Sequence, residues 1–320
     1  MLSFPDFKYK QVIVHSTFGN GEKLKFSADN ILIKDFDGNT ILQHSCHKIF
    51  ALFIVGDISV TSVVLRRALK YGFPIILMSS NMKVSARINC IAEGNTLLRK
   101  RQYSSERNLL ISKYLIEQKV SNQLALLKAL RAKNLSNKEA IKRLEQIDVW
   151  LAYDTPELMG IEGNASRIFF DSYFRVLNWN RREPRCKRDI INLLLDIGYT
   201  YLFNFIEANL CLYGFDLYCG VHHKFFYNRK SLVCDIIEPF RCIIDRRIRK
   251  AHNLGQIDKA DFIERNGAYL LTYEKQKKYT KLFLKDILAE KENIFKFCQS
   301  YYRSFMRDKD IVNFPQYKID

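Results

Sequence analysis

Between Gly214 and Lys250 the sequence reads GFDLYCGVHHKFFYNRKSLVCDIIEPFRCIIDRRIRK, bringing the adjacent His222 and His223, two carboxylates and a dense run of arginines into one short stretch. Asp235 and Glu238 stand three residues apart among Val233, Ile236, Ile237 and Phe240, a helical spacing that puts both on one face. Carboxylates and one imidazole among basic side chains make a hard-cation site, suited to Mg²⁺ or Mn²⁺. Such an ion neutralises charge building on phosphate oxygens and orients an attacking hydroxyl or water, which is phosphodiester chemistry. Glu162 offers a further oxygen donor upstream, so Glu162, one of the two histidines and Glu238 could supply ligands from three separate segments.

Each residue also has a purely structural reading. A histidine can be a hydrogen-bonded framework residue. Glu238 can pair with Arg241, although Pro239 disturbs that spacing. Asp235 can be solvated, and Glu162 can pair with Arg167. Cys219, His222, His223 and Cys234 raise the possibility of zinc, but no C-x₂₋₄-C or H-x₃₋₅-H pairing occurs.

The elements that must position these residues follow from periodicity. QVIVHS, KLKFS, NILIK and TILQHS are short strand-like runs, and Gly19-Asn20-Gly21 and Asp37-Gly38-Asn39 supply turns that would pair neighbours as hairpins. KIFALFIVGD reads as a longer apolar strand, Ser59 or Thr61 as the cap of a helix ended by Gly72, and FPIILMSS as another buried strand. Beyond Glu93-Gly94-Asn95 the periodicity turns helical. Ser136-x-x-Glu139 predicts a capping box for a helix through Trp150, and Thr155-Pro156-Glu157 a helix start leading to Glu162. Gly160 and Gly163 bracket Glu162, as close approach by another backbone or a nucleic acid would require. A long buried helix ends at Gly214, Ser231 caps the helix carrying Asp235 and Glu238, and Pro239 interrupts it. Helices are expected over Asp258 to Asn266 and from Tyr273 to about Met306, before a short polar tail. The fold class is α+β: a β-rich N-terminal domain over residues 1–92, then a larger all-α catalytic domain over residues 96–320.

The 320 residues carry 51 Lys+Arg against 34 Asp+Glu, a formal charge of +17, and 48% are hydrophobic. Such a chain folds, and its charge favours a polyphosphate partner through counterion release. Two basic segments are candidates for DNA contact: the loop Asn178 to Arg188, with Arg181, Arg182, Arg185, Lys187 and Arg188, and the stretch from Arg241 through Arg246, Arg247 and Arg249 to Lys250. Eight scattered cysteines without CxxC pairs suit a reducing cytoplasm. The N-terminus lacks the run of a signal peptide, and no apolar stretch approaches a membrane span.

IFALFIVGDISVTSVVLRRALKYGFPIILMS, MGIEGNASRIFF, GFDLYCGVHH and RKSLVCDIIEPFR, in this order, resemble the CRISPR-associated integrase and DNA endonuclease of spacer acquisition, the Cas one family, over nearly the whole chain. The resemblance implies an N-terminal β-domain that dimerises and a helical catalytic domain. By position it makes Glu162, His223 and Glu238 both metal ligands and catalytic residues, with Asp235 and His222 in support. His223 closes the Gly-x-x-His element Gly220-Val221-His222-His223. His222 departs from the apolar residue usual before that ligand, and Cys219 and Cys234 fall near the site. The resemblance further implies a cytoplasmic homodimer, a small Cas two family partner subunit, and double-stranded DNA as both fragment and repeat target. The reaction would be attack by a 3′-hydroxyl on a phosphodiester, consistent with the absence of a GxxxxGK[ST] phosphate loop. A metal-dependent nuclease acting on branched DNA in repair, or a non-catalytic DNA-binding scaffold, are the alternatives.

Overall fold

The computed structural model describes residues 2–17, 21–79, 84–88, 94–131, 133–177, 179, 181–184, 186–223 and 226–320. The N-terminal part runs through helix α1 (Phe4–Lys8), strands β1 (Gln11–Ser16), β2 (Lys23–Ser27), β3 (Asn30–Lys34), β4 (Thr40–Ser45), β5 (Ile49–Val55) and β6 (Ser59–Val60), helix α2 (Ser62–Tyr71), and strands β7 (Ile75–Met78) and β8 (Val84–Ile88). They form two four-stranded sheets, β1-β5-β7-β8 and β4-β3-β2-β6. All seven residues of β5 are buried, because both of its faces are covered. Ile49, Leu52 and Ile54 join a core with Leu24, Ile31, Ile33, Val64 and Phe73 between the sheets and α2. Phe50, Phe53 and Val55 join the core of the helices.

The turn around Gly38, at φ +88°, closes the β3–β4 hairpin as expected, and Gly72, at φ +71°, ends α2. The expected hairpin between QVIVHS and KLKFS does not form. β1 instead lies parallel to β5, and β2 pairs with β3. The reason is that β1 is apolar on both faces, with Ile13 in one core and Val12 and Val14 against the other. Gly19 and Asn20 lie outside the described residues.

The remainder comprises α3 (Thr96–Tyr103), α4 (Asn108–Lys128), α5 (Leu135–Glu145), α6 (Thr155–Tyr173), α7 (Ile190–Cys211), α8 (Ser231–Ile236), α9 (Arg241–Asn253), strands β9 (Phe262–Arg265) and β10 (Ala268–Leu271), α10 (Gln276–Ala289) and α11 (Lys291–Met306). Several boundaries differ from expectation. The capping box belongs to Asn134 and Asn137 rather than Ser136 and Glu139, and α5 stops at Glu145, short of Trp150. Asp154, one residue before Thr155, caps α6 by accepting from the Glu157 N–H. Residues 262–271 form an antiparallel hairpin, not a helix, because Asn266 and Gly267, at φ +53° and +71°, make the Asn-Gly turn that suits two-residue hairpins. The C-terminal tail is not a polar fringe: Phe314, Tyr317 and Ile319 are buried, and Gln118 and Asn122 on α4 bond its backbone.

α7 and α9, the helices behind the site, touch closely at Gly198, where an added Cβ would lie 2.5 Å from Ile244 Cγ2. Gly198→Ala is expected to cost about 1–3 kcal/mol by overpacking, read as a lowered denaturant midpoint with unchanged far-ultraviolet circular dichroism.

Candidate active site

α6 presents Glu162, Ser166 and Phe170 to the cavity, while Gly160 and Gly163, where an added Cβ would meet no atom within 4 Å, lie on other faces of the helix and pack against no other backbone. Its basic partner is not Arg167 but Lys119, from the middle of α4. The Lys119 ammonium simultaneously holds Glu238, at 2.7 Å from Oε2, and Arg241 Nε donates to the same oxygen at 2.9 Å. The Glu238–Arg241 pair thus persists across Pro239. The proline ends α8 and tightens residues 238–240 into a 3₁₀ turn before α9 resumes.

Asp235 and Glu238 serve different neighbours instead of sharing one face. Asp235 is fully buried, which rules out the solvated reading. It accepts from the backbone N–H groups of Val221 (2.5 Å), His222 (3.1 Å) and His223 (3.0 Å), and its Oδ1 lies 2.7 Å from His223 Nδ1. That grip requires Gly220: a Cβ there would meet Asp235 Oδ2 at 2.5 Å and the Ser231 backbone at 2.8 Å. The glycine of Gly-x-x-His is therefore demanded by space. Ser231 is the first residue of α8, and Lys230 stands in the cap position without a side-chain capping bond, its ammonium paired instead with Glu207.

His223 engages Asp235 through Nδ1, so Nε2 is the ring nitrogen left for the cavity that His223 lines. His222 is buried, and its Nδ1 has no hydrogen-bond partner among the described residues. The cavity, about 900 Å³, is also lined by Glu162, Glu238, Lys119, Arg87, Arg182, Lys187, Arg241, Tyr199 and Asp245.

Burial pushes the Glu162 carboxyl up, but Lys119 overrides this and holds it below the usual range. For Glu238, burial is outweighed by Arg241 and Lys119, which bring the carboxyl down to about 2. Lys119 itself is held above its ordinary value, because Glu238 and Glu162 outweigh its burial. Burial and then the neighbouring His223 lower His222. Two anionic carboxylates from separate elements gripping one cation are the donor set a hard divalent ion requires. Among the described residues, however, no three His, Cys, Asp or Glu side chains converge as a ready-made metal shell. The donors fit an ion once the Lys119 ammonium yields its place between them. Nor do Cys219, His222, His223 and Cys234 provide a zinc shell, since among the described residues no three such side chains converge.

The basic segments divide. Arg182, Lys187 and Arg241 line the cavity, while Arg181 pairs with Glu183, and Arg188 lies exposed 3.7 Å from the same glutamate. Arg185 lies outside the described residues. α9 does not offer the continuous basic track expected of it. Arg247 and Arg249 are buried, the first bonded to Gln256, the second to the Tyr173 carbonyl, and Arg246 bonds the Asp320 carbonyl. Lys250 remains exposed. No local sequence signal marks Lys119, one lysine among many; the exposed Lys277, Lys281 and Lys285 are spaced four apart along one face of α10.

Residues 16–285 match the profile of the family described as CRISPR associated protein Cas1. The chain belongs to this family. Among curated Cas1 relatives, the CRISPR-associated endonuclease Cas1 1 of Thermodesulfovibrio yellowstonii is 29% identical over 277 residues, covering 81% of this chain and 87% of the relative. The CRISPR-associated endonuclease Cas1 2 of Rhodospirillum rubrum is 30% identical over 292 residues, covering 84% of each. A CAS1 protein from Thermotoga maritima has the same fold, with a TM-score of 0.81 at 17% identity over 97% of this chain and 100% of the other. So does a casposase bound to its integration product, with a TM-score of 0.78 at 20% identity over 97% and 96%. A chain of a Cas6-RT-Cas1–Cas2 complex matches at a TM-score of 0.83 and 18% identity; 98% of this chain spans 36% of that longer one. Among the described residues no helix is long and apolar enough to cross a membrane.

Two outcomes follow from the site's charges. Lys119→Met leaves two facing carboxylates without their shared cation and is expected to cost the metal-free protein about 3–5 kcal/mol. Adding Mg²⁺ or Mn²⁺ should then raise the melting temperature more in the variant than in the parent. Separately, burial pushes the Asp245 carboxyl up to about 7, against the hydrogen bond from Tyr199 and the nearby Arg241. The fold therefore keeps a proton that the unfolded chain has released, so this stability is complete at low pH and is lost as pH rises through about 7. The loss accumulates from about pH 4 upward, so Asp245→Asn should be more stabilising at about pH 8 than at about pH 5, measured by thermal unfolding at the two values.

Proposed function

We propose that this Cas1 family member is a spacer-acquisition integrase that inserts DNA fragments into a CRISPR repeat array, with an associated endonuclease activity. The observation that carries this reading is the Lys119 ammonium gripped by Glu162 and Glu238 in a cavity lined by arginines. It is a cation site opening onto a surface made for phosphate. Glu162, Glu238 and His223 would hold Mg²⁺ or Mn²⁺, which would supply charge neutralisation at the phosphate and activation of the attacking hydroxyl.

The chain's own contribution is positioning. Asp235 fixes the backbone and ring of His223, so that Nε2 faces the cavity. Arg241 shares Glu238 with Lys119 and neutralises it. Arg87, Arg182 and Lys187 line the cavity and offer donors to backbone phosphates. In the reaction a 3′-hydroxyl oxygen forms a bond to a target phosphorus as the P–O bond to the displaced strand breaks. The attacking hydroxyl gives up its proton and the displaced strand takes one up as a new 3′-hydroxyl. One phosphodiester replaces another, so no nucleotide hydrolysis is needed. With water as the attacking group, the same site cleaves.

The chain is read as a cytoplasmic homodimer joining a small Cas two family subunit, with double-stranded DNA as fragment and target. The likeness to a chain from a Cas6-RT-Cas1–Cas2 complex and to a casposase bound to an integration product supports that assembly and that chemistry.

A strand-joining assay with a pre-processed duplex and a repeat-containing target tests the reading. The parent should yield joined products, whereas a repair nuclease acting on branched DNA would yield cleavage alone. Glu162→Ala, His223→Ala and Glu238→Ala should each reduce joining to background while DNA binding persists, which a non-catalytic scaffold would not show. Asp235→Asn should cost about 10–100-fold in joining rate, and His222→Ala should be milder than His223→Ala.

A further inference from the structure

Three residues beyond His223 the chain turns outward as Phe226-Tyr227-Asn228-Arg229-Lys230. Phe226 is 71% exposed and Tyr227 is 87% exposed, the highest value of any large apolar side chain among the described residues. They sit on a built turn. Asn228 takes the left-handed φ of +57°, and the Arg229 N–H closes the turn on the Phe226 carbonyl at 3.0 Å. The Arg229 guanidinium lies 5.6 Å from the Phe226 ring centroid, and its Nε donates to Ser231 Oγ at 3.4 Å, so the aromatic ring is braced from the base of α8. Lys230 is anchored in turn on buried Glu207.

Exposed turns ordinarily carry small polar residues, and neither ring lies in either hydrophobic core. Their position is informative. A chain segment spans at most about 3.6 Å per residue, so Phe226 and Tyr227 lie within about 15 Å of His223. That distance is a few nucleotides along a strand whose phosphate sits beside His223.

We propose that Phe226 and Tyr227 form a stacking platform for unpaired bases of the DNA strand that enters the cavity. This rests on the integrase reading for the identity of the strand. Two exposed aromatic rings within about 15 Å of a residue that lines a basic cavity suit single-stranded nucleic acid, because every base presents a π-face while Arg182, Lys187 and Arg241 on the cavity wall would meet its backbone. A braced Phe226 also loses little freedom on binding. Duplex DNA, whose bases are already stacked on one another, would gain nothing from it.

The experiment compares a blunt duplex with the same duplex bearing a single-stranded 3′ overhang that contains a fluorescent adenine analogue. With the full chain, the overhang should be quenched on binding. The double variant Phe226→Ala, Tyr227→Ala should weaken overhang binding on the order of tenfold or more and abolish quenching, with blunt-duplex affinity unchanged to within about twofold. Phe226→Leu with Tyr227→Leu should behave like the alanine pair, whereas Phe226→Tyr with Tyr227→Trp should retain binding. Iododeoxyuridine in the overhang should photo-crosslink to Phe226 or Tyr227.

Equal losses for both DNAs, no loss for either, or crosslinks only elsewhere would overturn the platform. So would unchanged DNA binding with a lost protein partner, which would make the patch a protein-docking surface. Quenching with no strand joining by the parent would instead sink the integrase reading and leave the platform standing.

Discussion

A buried ammonium shared by two carboxylates is the constraint to which the rest of the site answers. Glu162 and Glu238 come from elements far apart in sequence, and Glu238, buried, and Glu162, half-buried, both need a counter-charge, since an isolated charge in a low-dielectric interior costs several kcal/mol. Lys119 supplies that charge from the middle of α4, and Arg241 supplies a second from the first turn of α9. The four groups balance, two positive and two negative, and in balancing they tie α4, α6 and the turn at Pro239 to one point. α4 is also the helix on which the C-terminal tail is fastened: Asn122, one turn from Lys119, donates to both the Pro239 and Tyr317 carbonyls.

A second anchor stands beside the first. Asp235 spends its acceptor capacity on one loop, binding three successive N–H groups and the ring of His223, so that loop is positioned by a carboxylate rather than by packing alone. The far end of the same loop is tied by Lys230 to Glu207 on α7, and Glu207 also pairs with Arg87 on β8 at 2.7 Å. A continuous ionic path therefore runs from the edge strand of the first sheet to the base of α8. It ties the β-rich part to the segment that follows His223.

Much of this was legible in the sequence where a single residue type forces a local outcome. The apolar run of β5, the Gly38 turn, the stop at Gly72 and the break at Pro239 all follow from local chemistry. The Cas1-like motifs of the sequence point to Glu162, His223 and Glu238 as candidates, and all three line one cavity, although among the described residues they do not converge as a ligand cluster. What was not legible depends on partners distant in sequence. Nothing around Lys119 distinguishes it from other lysines on an amphipathic helix; its role exists only once α6 and the 238 turn pack beside it. Arg247 and Arg249 read as surface charge because their acceptors, Gln256 and the Tyr173 carbonyl, lie outside α9. The β9–β10 hairpin is different in kind: its Asn-Gly turn was present in the sequence and was outweighed by the helical pattern around it.

The burial of both faces of β5 bears on how such a chain can be made. One face is satisfied early, by strands and a helix within the first eighty or so residues, on the order of one small folding unit. The other waits for distant helices: Phe50 meets Phe205, Phe53 meets Tyr201, and Phe7 on α1 stacks on Phe295. As the chain leaves the ribosome, the first sheet would stand with an apolar flank uncovered until α7 and α11 have been synthesised. The sheet that begins the protein is thus the last part to be fully shielded from water, and its maturation is governed by the arrival of the chain's far end.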